Sequence, residues 1–240
     1  MAKYPDALEL ALTADDIERI HRKGKVASLI GMEGGHSIDN SLAVLRMMYA
    51  LGARYMTLTH TKTLDWADAA GDKPKSGGLS EFGERVVREM NRLGMMIDVS
   101  HVSDETMAAV IKTSKAPVIC SHSSARAVCN VPRNVPDDLL KKNSETRGVV
   151  MVNFVPGFLT DKGRVHAKER KAEEDRLEKL FGKDSTEASD ALETWRKTHP
   201  APLITLSDVA DHIDHIRKVA GIDCVGIGAD YEGFGNPPKG

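Results

Sequence analysis

Short apolar runs alternate with amphipathic segments along this chain of 240 residues. Six of the runs are nearly continuous in hydrophobic residues, which is typical of parallel β-strands that are buried on both faces. Because parallel strands have all their carboxyl ends on one side of a sheet, the residues that end the runs are predicted to share one face of the protein. All six of these residues carry side chains that can take part in chemistry: Glu33, His60, His101, His122, Asn153 and Asp230.

Segments with helical periodicity separate the predicted strands. One helix is expected to begin at Thr13 and stop at Gly24, and another to begin at Ser103 and end before Pro117. Regular alternation of strand and helix predicts right-handed βαβ units and a parallel sheet, which places the chain in the α/β class. A closed (β/α) barrel has eight strands and only about six can be counted here, so we expect either an open sheet or a piece of a longer protein.

A strongly charged segment between Asp161 and His199 interrupts this alternation. Its few hydrophobic residues are spaced as in one or two amphipathic helices. The sequence therefore predicts a helical insertion at about residues 160–200 of a single domain that covers residues 1–240. The charges of the segment are of mixed sign and the formal net charge of the chain is -2, so nucleic acid is not an expected partner.

The composition, with 41% hydrophobic and 28% charged residues, is that of a soluble globular protein. No apolar stretch approaches the roughly 20 residues that span a bilayer, and the amino terminus lacks the apolar centre of a signal peptide. The chain as it stands is therefore predicted to be cytoplasmic. The three cysteines, Cys120, Cys129 and Cys224, form no CxxC pair and are expected to fill space in the core.

Three of the predicted strand ends could together bind a metal ion. His101 and His122 end consecutive strands, and neighbouring parallel strands lie about 4.8 Å apart, so two imidazoles could reach one ion at roughly 2.0–2.1 Å. Glu33 lies among glycines that allow ligands to approach closely, and its two oxygens could bridge two ions. Nitrogen and oxygen ligands of this kind favour zinc, although either histidine alone could equally be a hydrogen-bonded residue at the rim of the sheet.

Other candidate residues point to hydrolysis rather than to metal binding alone. Asp230 could take a proton from a water molecule and deliver it to a leaving amine, or it could be a further metal ligand, and these two roles stay open. His60 could polarise a substrate carbonyl group. Arg133, in the loop after His122, could bind a substrate carboxylate through two parallel hydrogen bonds, or it could be an ordinary surface arginine. His36 is interpreted either as a turn residue or as a residue that supports a metal ligand through a hydrogen bond.

The motifs that surround these residues resemble the membrane (renal) dipeptidase family of zinc peptidases. The resemblance extends from about Asp15 to Gly235. It implies a (β/α)8 TIM barrel of the amidohydrolase type, in which two zinc ions are bridged by a carboxylate and a hydroxide, and it implies the hydrolysis of dipeptides. The motifs are Gly31–Ser37, Tyr55–His60 with Trp66–Asp68, Ile97–Ser103, Ser121–Ala125, Arg133–Asp137 and Gly228–Asp230.

Family roles can be assigned to the matching positions. The resemblance implies that Glu33 is the bridging carboxylate and that His101 and His122 bind one of the zinc ions. It implies that His60 and Arg133 bind the substrate and that Asp230 is the catalytic aspartate.

One feature of the family is missing from this sequence. Family members begin with a strand that ends in His-x-Asp and supplies ligands to the other zinc ion, and no such strand is present. The only His-x-Asp sequence, His212–Asp214, lies in a predicted helix, where its two side chains point in different directions. The chain is therefore expected to lack an amino-terminal portion of the family fold and to retain one recognisable set of zinc ligands.

The sequence thus predicts a zinc-dependent dipeptidase that uses a metal-bridging hydroxide, with a dipeptide as its small-molecule substrate. Two alternatives stay open. The same site could hydrolyse an amide or lactam bond in another small carboxylated molecule, or the chain could be a catalytically impaired remnant that binds zinc or a partner. The resemblance also implies a homodimer, since many members of the family form dimers.

Overall fold

The computed structural model describes residues 3–240 of the chain. Within that range it contains eight strands and nine helices in an α/β arrangement. Two short 3-10 turns, Gly35–Ile38 and Ile222–Cys224, accompany them. The strands are β1 (Leu8–Leu10), β2 (Val26–Ser28), β3 (Ile30–Glu33), β4 (Ala53–Thr57), β5 (Met96–Asp98), β6 (Ile119–Ser123), β7 (Val149–Val152) and β8 (Val225–Ile227). The helices are α1 (Ala14–Arg22), α2 (Leu42–Ala50), α3 (Glu81–Leu93), α4 (Asp104–Thr113), α5 (Asp137–Glu145), α6 (Pro156–Leu159), α7 (Asp161–Phe181), α8 (Thr186–Thr198) and α9 (Leu206–Ala220).

The strand order of the larger sheet follows the order of the chain, from β3 to β8. The pairs β3–β4, β4–β5, β5–β6 and β7–β8 are parallel. This arrangement is the parallel α/β sheet that the apolar runs predicted, and strand ends therefore lie on one edge within each run of paired strands.

The first predicted strand differs from the observed structure. The apolar run from Val26 to Glu33 is divided into β2, which pairs with β1, and β3, which pairs with β4. Strand β1 was not predicted, because three residues with a central Glu9 give no apolar run. Pairing partners, and not hydrophobicity, therefore decide where these two short strands begin and end.

The chain divides into two compact units, and the first comprises the residues up to Cys120 together with Thr146–Gly148. Helix α1 begins after Thr13, as the sequence predicted. Its start is a capping box, in which Thr13 Oγ1 accepts a hydrogen bond from Asp16 N and the Asp16 carboxylate accepts one from Thr13 N. Helix α4 begins after the predicted cap, Ser103. The buried core of the unit includes Leu45, Met56, Leu58, Val86, Met90 and Ile97.

The second unit comprises Ser121–Glu145 and Val149–Gly240. Helix α9 is its central helix and packs against α5, α6, β7 and β8. Helices α7 and α8 occupy the charged segment for which the sequence predicted a helical insertion, and ion pairs such as Lys171 with Asp175 lie along the surface of α7. The buried core of the unit includes Leu139, Leu140, Val150, Val152, Leu159 and Ile216.

No helix in residues 3–240 is both long and apolar enough to cross a bilayer. The cysteines Cys120, Cys129 and Cys224 are buried and carry free thiols, which agrees with their predicted role as core residues.

Candidate metal centre

Glu33 is the last residue of β3, and two glycines follow it directly. The amides of Gly34 and Gly35 donate to the carbonyls of Thr57 and Leu58 at 3.1 Å each, so the chain stays tied to β4 as it turns. A Cβ atom on Gly35 would lie 2.6 Å from the Leu58 carbonyl oxygen, and Gly34 has a φ of 101°. Only glycine suits these two positions, and the tight turn keeps the half-exposed Glu33 carboxylate at the end of the strand.

His101 follows β5 in a left-handed backbone conformation, with a φ of 67°. This conformation is unfavourable for a residue other than glycine, and it is held by two hydrogen bonds to the His101 carbonyl oxygen. Thr59 Oγ1 donates one at 3.0 Å and the amide of Ala70 donates the other at 2.7 Å. The resulting turn places His101 Nε2 only 3.3 Å from Glu33 Oε1.

Asp98 supports the same turn from within the core. It is fully buried at the end of β5, and its carboxylate accepts hydrogen bonds from Thr57 Oγ1 and from the amide of Ser100. The sequence analysis assigned Asp98 no role. Aspartate often accepts a hydrogen bond from the backbone amide two residues further on, and this tendency could have identified Asp98 as a turn residue.

His60 lies three residues beyond β4 and is exposed. The centre of its ring is 4.6 Å from that of His101, and the two ring planes are tilted by 48°. The structure therefore brings together Glu33, His60 and His101 at the ends of three consecutive strands, as the apolar runs predicted.

His122 lies within β6, one residue before its end. Its Nδ1 atom is 2.7 Å from Ser121 Oγ, an interaction that orients the ring. The ligand atoms of Glu33, His101 and His122 all lie within 4.8 Å of one another. These are the three residues that the sequence predicted as metal ligands, and the described part of the chain contains no other group that could hold a metal ion in this way.

Arg133 and Asp230 lie on loops of the second unit. Arg133 Nη2 donates to the carbonyl oxygen of His122 at 3.2 Å, and the guanidinium carbon lies 5.4 Å from the centre of the Phe158 ring. Asp230 is half-buried, three residues beyond β8, and has a φ of 59°. The amide of Gly233 donates to its carbonyl oxygen at 3.0 Å. Arg133 is thus tied to the strand that carries His122, while Asp230 lies on the turn after β8.

Comparison with known proteins identifies the family of the chain. A model of the membrane dipeptidases, peptidase family M19, matches residues 1–240. The chain belongs to the membrane dipeptidase family. It is 41% identical to Dipeptidase 3 of Rattus norvegicus over 242 residues, which cover 99% of this chain and 41% of the rat protein. Dipeptidase 3 of Mus musculus is 42% identical over 99% of this chain and 40% of its own length, so the chain spans about two fifths of these relatives.

Solved structures of membrane dipeptidases and related enzymes share the fold. The probable dipeptidase PvdM from Pseudomonas aeruginosa superposes with a TM-score of 0.82 at 25% identity, covering 99% of this chain and 65% of that one. A metallo peptidase from Rhodobacter sphaeroides, liganded with a phosphinate mimic of the dipeptide L-Ala-D-Ala, has a TM-score of 0.77 at 26% identity and covers 98% and 59%. These similarities confirm the predicted fold class, the (β/α)8 TIM-barrel type of the amidohydrolases, of which this chain contains a part.

Asp68, in one of the motifs that resemble the membrane dipeptidases, organises the long loop after β4. Its buried carboxylate accepts hydrogen bonds from the amides of Lys75, Ser76 and Gly78 at 2.7, 3.1 and 2.7 Å. Burial alone would raise the pKa of Asp68, but these amide hydrogen bonds outweigh it and the pKa is lowered. Asp68 is therefore ionised, and its carboxylate fixes the backbone of the loop from Lys75 to Gly78.

Tyr55 is a further neighbour of Glu33 that the sequence analysis did not single out. It lies opposite Gly31 in the β3–β4 register, and a Cβ atom on Gly31 would overlap the Tyr55 ring. Burial raises the pKa of Tyr55, and the charges of Asp98 and Glu33 raise it further, so its phenol stays neutral at physiological pH. A glycine opposite an aromatic residue on a neighbouring strand is the signal that could have identified this contact.

Proposed function

We propose that the chain carries the metal site of a zinc-dependent dipeptidase, which hydrolyses the peptide bond of dipeptides. The observation that carries this proposal is the separation of 3.3 Å between Glu33 Oε1 and His101 Nε2. Two ligands of a tetrahedral zinc ion with bonds of about 2.0–2.1 Å are themselves about 3.3 Å apart. The pair therefore fits zinc before any metal is bound.

His122 fits the same ion as the third ligand. Its ring is already oriented by Ser121, and one carboxylate with two imidazoles is a donor set that zinc accepts. When bound, zinc supplies Lewis acidity and lowers the pKa of a coordinated water molecule to about 7. Membership of the membrane dipeptidase family and the metallopeptidases among its structural relatives support the assignment.

The other predicted residues act on the substrate. The Arg133 guanidinium is positioned by the His122 carbonyl and the Phe158 ring, and its planar fork suits the free carboxylate of a dipeptide. This contact favours short peptides over proteins. His60 donates a hydrogen bond to the scissile carbonyl, and Asp230 takes up a proton and later delivers it to the leaving amine. Asp230 is not among the three clustered ligands, which favours the proton-transfer role.

The proposal is tested by measuring zinc content and hydrolysis on the purified chain. We expect zinc to bind and alanyl dipeptides to be cleaved faster than N-acetylalanine, which shares their carboxylate but lacks the free amine. Asp230→Asn should abolish turnover and retain zinc, and Arg133→Ala should raise KM much more than it lowers kcat. A chain that binds no zinc would overturn the proposal, and preference for N-acetylalanine would favour the related amide hydrolase.

A further inference from the structure

Asn153 is the one predicted strand end to which the proposed function assigns no role. It follows β7 directly and is fully buried. In the sheet, β7 lies between β6, which carries His122, and β8, which leads to Asp230. Asparagine at such a position is uncommon in a core, because its amide group must be satisfied by hydrogen bonds.

Two hydrogen bonds fix the orientation of Asn153. Its backbone amide donates to the carbonyl oxygen of Ser123 at 3.2 Å, which anchors the residue to the end of β6. Its side-chain Oδ1 accepts from the amide of Val155 at 3.0 Å, which determines the orientation of the carboxamide. The other side-chain atom, Nδ2, has no hydrogen-bond partner among the described residues. The residue is thus held in place with one buried donor available.

The strand register indicates the face of the sheet on which the Asn153 side chain lies. Val152 pairs with Ile227 in the β7–β8 ladder, so Asn153 is next to Gly228, two residues before Asp230. On the other side, the hydrogen bond to the Ser123 carbonyl places Asn153 beside Ser124, which shares a strand face with His122. Asn153 therefore faces the same way as His122.

Two further contacts connect this position with the carboxylate-binding arginine. Arg133 donates to the carbonyl oxygen of His122, and Asn153 donates to the carbonyl oxygen of the next residue, Ser123. Both residues therefore contact the end of β6, Arg133 through its guanidinium and Asn153 through its backbone amide. Ser124 Oγ, beside Asn153, is also buried and has no partner in the described part of the chain. Two unsatisfied polar groups at this position can be satisfied by a polar ligand or by a buried water molecule.

We propose that Asn153 is a substrate-binding residue, whose Nδ2 group donates a hydrogen bond to the carboxylate of the dipeptide that Arg133 binds. This inference rests on the proposed function. A carboxylate has about four lone-pair sites and a guanidinium occupies two, so a neutral donor can add a hydrogen bond without adding charge. Arg133 would then supply the attraction and Asn153 the orientation.

The substitution Asn153→Asp tests the hydrogen bond between Nδ2 and the substrate carboxylate, because it changes little besides that one donor. The variant keeps an oxygen for the Val155 amide and keeps the backbone bond to Ser123, but it replaces the Nδ2 donor with a negatively charged oxygen. We expect KM for alanyl dipeptides to rise about tenfold or more, with kcat changed less and zinc content unchanged. A dipeptide with an amidated carboxyl end should be affected far less, since its repulsion by the new carboxylate is absent.

Asn91→Asp on α3 is the matched control, because it introduces the same charge at an asparagine whose side chain bonds Ser114 and the Lys115 amide. It should leave KM unchanged. If Asn153→Asp does not fold, Asn153→Ser removes the carboxamide without adding charge and should still raise KM severalfold. Unchanged KM in a folded Asn153 variant would overturn the inference, since the donor would then serve only a buried water molecule.

The two proposals fail in different ways. Binding of the phosphinate mimic of L-Ala-D-Ala by the wild-type chain, measured by calorimetry, tests the proposed function without turnover. Loss of binding of the mimic by the Asn153→Asp variant supports the inference. If the wild type and the variant bind the mimic equally well, the inference is overturned and the proposed function stands. A wild-type chain that neither cleaves dipeptides nor binds the mimic would overturn the proposed function and the inference with it.

Discussion

At the scale of single residues, a neighbouring hydroxyl orients the ring of His122, one of the three proposed metal ligands. The Ser121 hydroxyl lies 2.7 Å from His122 Nδ1, so the ring is oriented before a metal ion arrives. We expect Ser121→Ala to weaken zinc binding by about 10–100-fold, because the free ring must lose rotational freedom on binding. Competition with a chelator of known affinity measures the change.

Ser144→Ala on α5 is a suitable control for this substitution, because that hydroxyl bonds only the nearby Lys141 carbonyl. It should leave zinc affinity as it is. Equal affinities in wild type and Ser121→Ala would show that other contacts orient His122.

A second histidine, His212, has a structural role that depends on its staying neutral. It is fully buried in α9, its Nδ1 accepts from the amide of Ala125 at 3.0 Å, and its Nε2 lies 2.9 Å from the Leu159 carbonyl oxygen. Burial lowers the pKa of His212 below its ordinary value of 6.5, although the Leu159 carbonyl opposes this shift. The histidine of the only His-x-Asp sequence is thus a core residue and not a metal ligand, as the sequence analysis concluded.

The lowered pKa of His212 makes stability depend on pH. The unfolded chain binds a proton at His212 more readily than the folded chain, so this contribution is present above about pH 6.5 and is lost as the pH falls. We expect His212→Asn, which keeps an acceptor for the Ala125 amide, to be less stable than wild type at pH 7.5. The difference should narrow at pH 5, as measured by urea unfolding, whereas exposed His21→Asn should show little difference at either pH. A stability difference between wild type and His212→Asn that is the same at both pH values would contradict the lowered pKa of His212.

At the scale of elements, Glu89 connects α2 with α3. Its carboxylate lies 2.6 Å from Arg46 of α2 and 2.6 Å from Arg92 of α3, and the side chain is only 10% exposed. The hydrogen bond from Arg92 lowers the pKa of Glu89 to about 2; burial opposes this shift and Arg46 reinforces it. Since the folded pKa is depressed, the stabilisation is present above about pH 4.5 and is lost as the pH falls towards 2.

Glu89→Gln should therefore lower the melting temperature at pH 7 by about 2–4 °C, which corresponds to roughly 1 kcal/mol for a chain of this size. The difference in melting temperature between wild type and Glu89→Gln should shrink near pH 3. Glu84→Gln removes an exposed pair with Arg88 on the same helix and should have almost no effect. Calorimetry on both variants gives the comparison, and equal shifts would mean that Glu89 acts as an ordinary surface charge.

The elements also show where sequence patterns are informative. Helix starts at Thr13 and Ser103 could be predicted because a capping side chain and its amide partner are three residues apart. The division of the first apolar run into β2 and β3 could not, because it depends on pairing with β1 and with β4, far away in sequence. Local signals mark helix ends, whereas strand ends depend on partners.

At the scale of the whole molecule, zinc should stabilise the folded chain, because the ligands of a bound ion are assembled only in the native state. At a free concentration about 100 times the dissociation constant, the gain is about 2.7 kcal/mol, or roughly 5–10 °C in melting temperature. A chelator should reverse it and Glu33→Gln should reduce it. Magnesium, which prefers oxygen ligands, should have little effect. An equal shift with magnesium would argue against the proposed ligand set.

The sequence by itself determined the α/β class, the family and the identity of the residues that can do chemistry, since apolar runs and their polar ends are local features of the chain. It also predicted that Glu33, His101 and His122 lie together as candidate ligands, because the ends of successive parallel strands converge. The tertiary structure decided how each ligand is held. The left-handed turn at His101 depends on Thr59 and Ala70, and the unsatisfied amide of Asn153 depends on strands that pair only when the chain is folded. Such contacts join residues that are distant in sequence, and no local pattern records them.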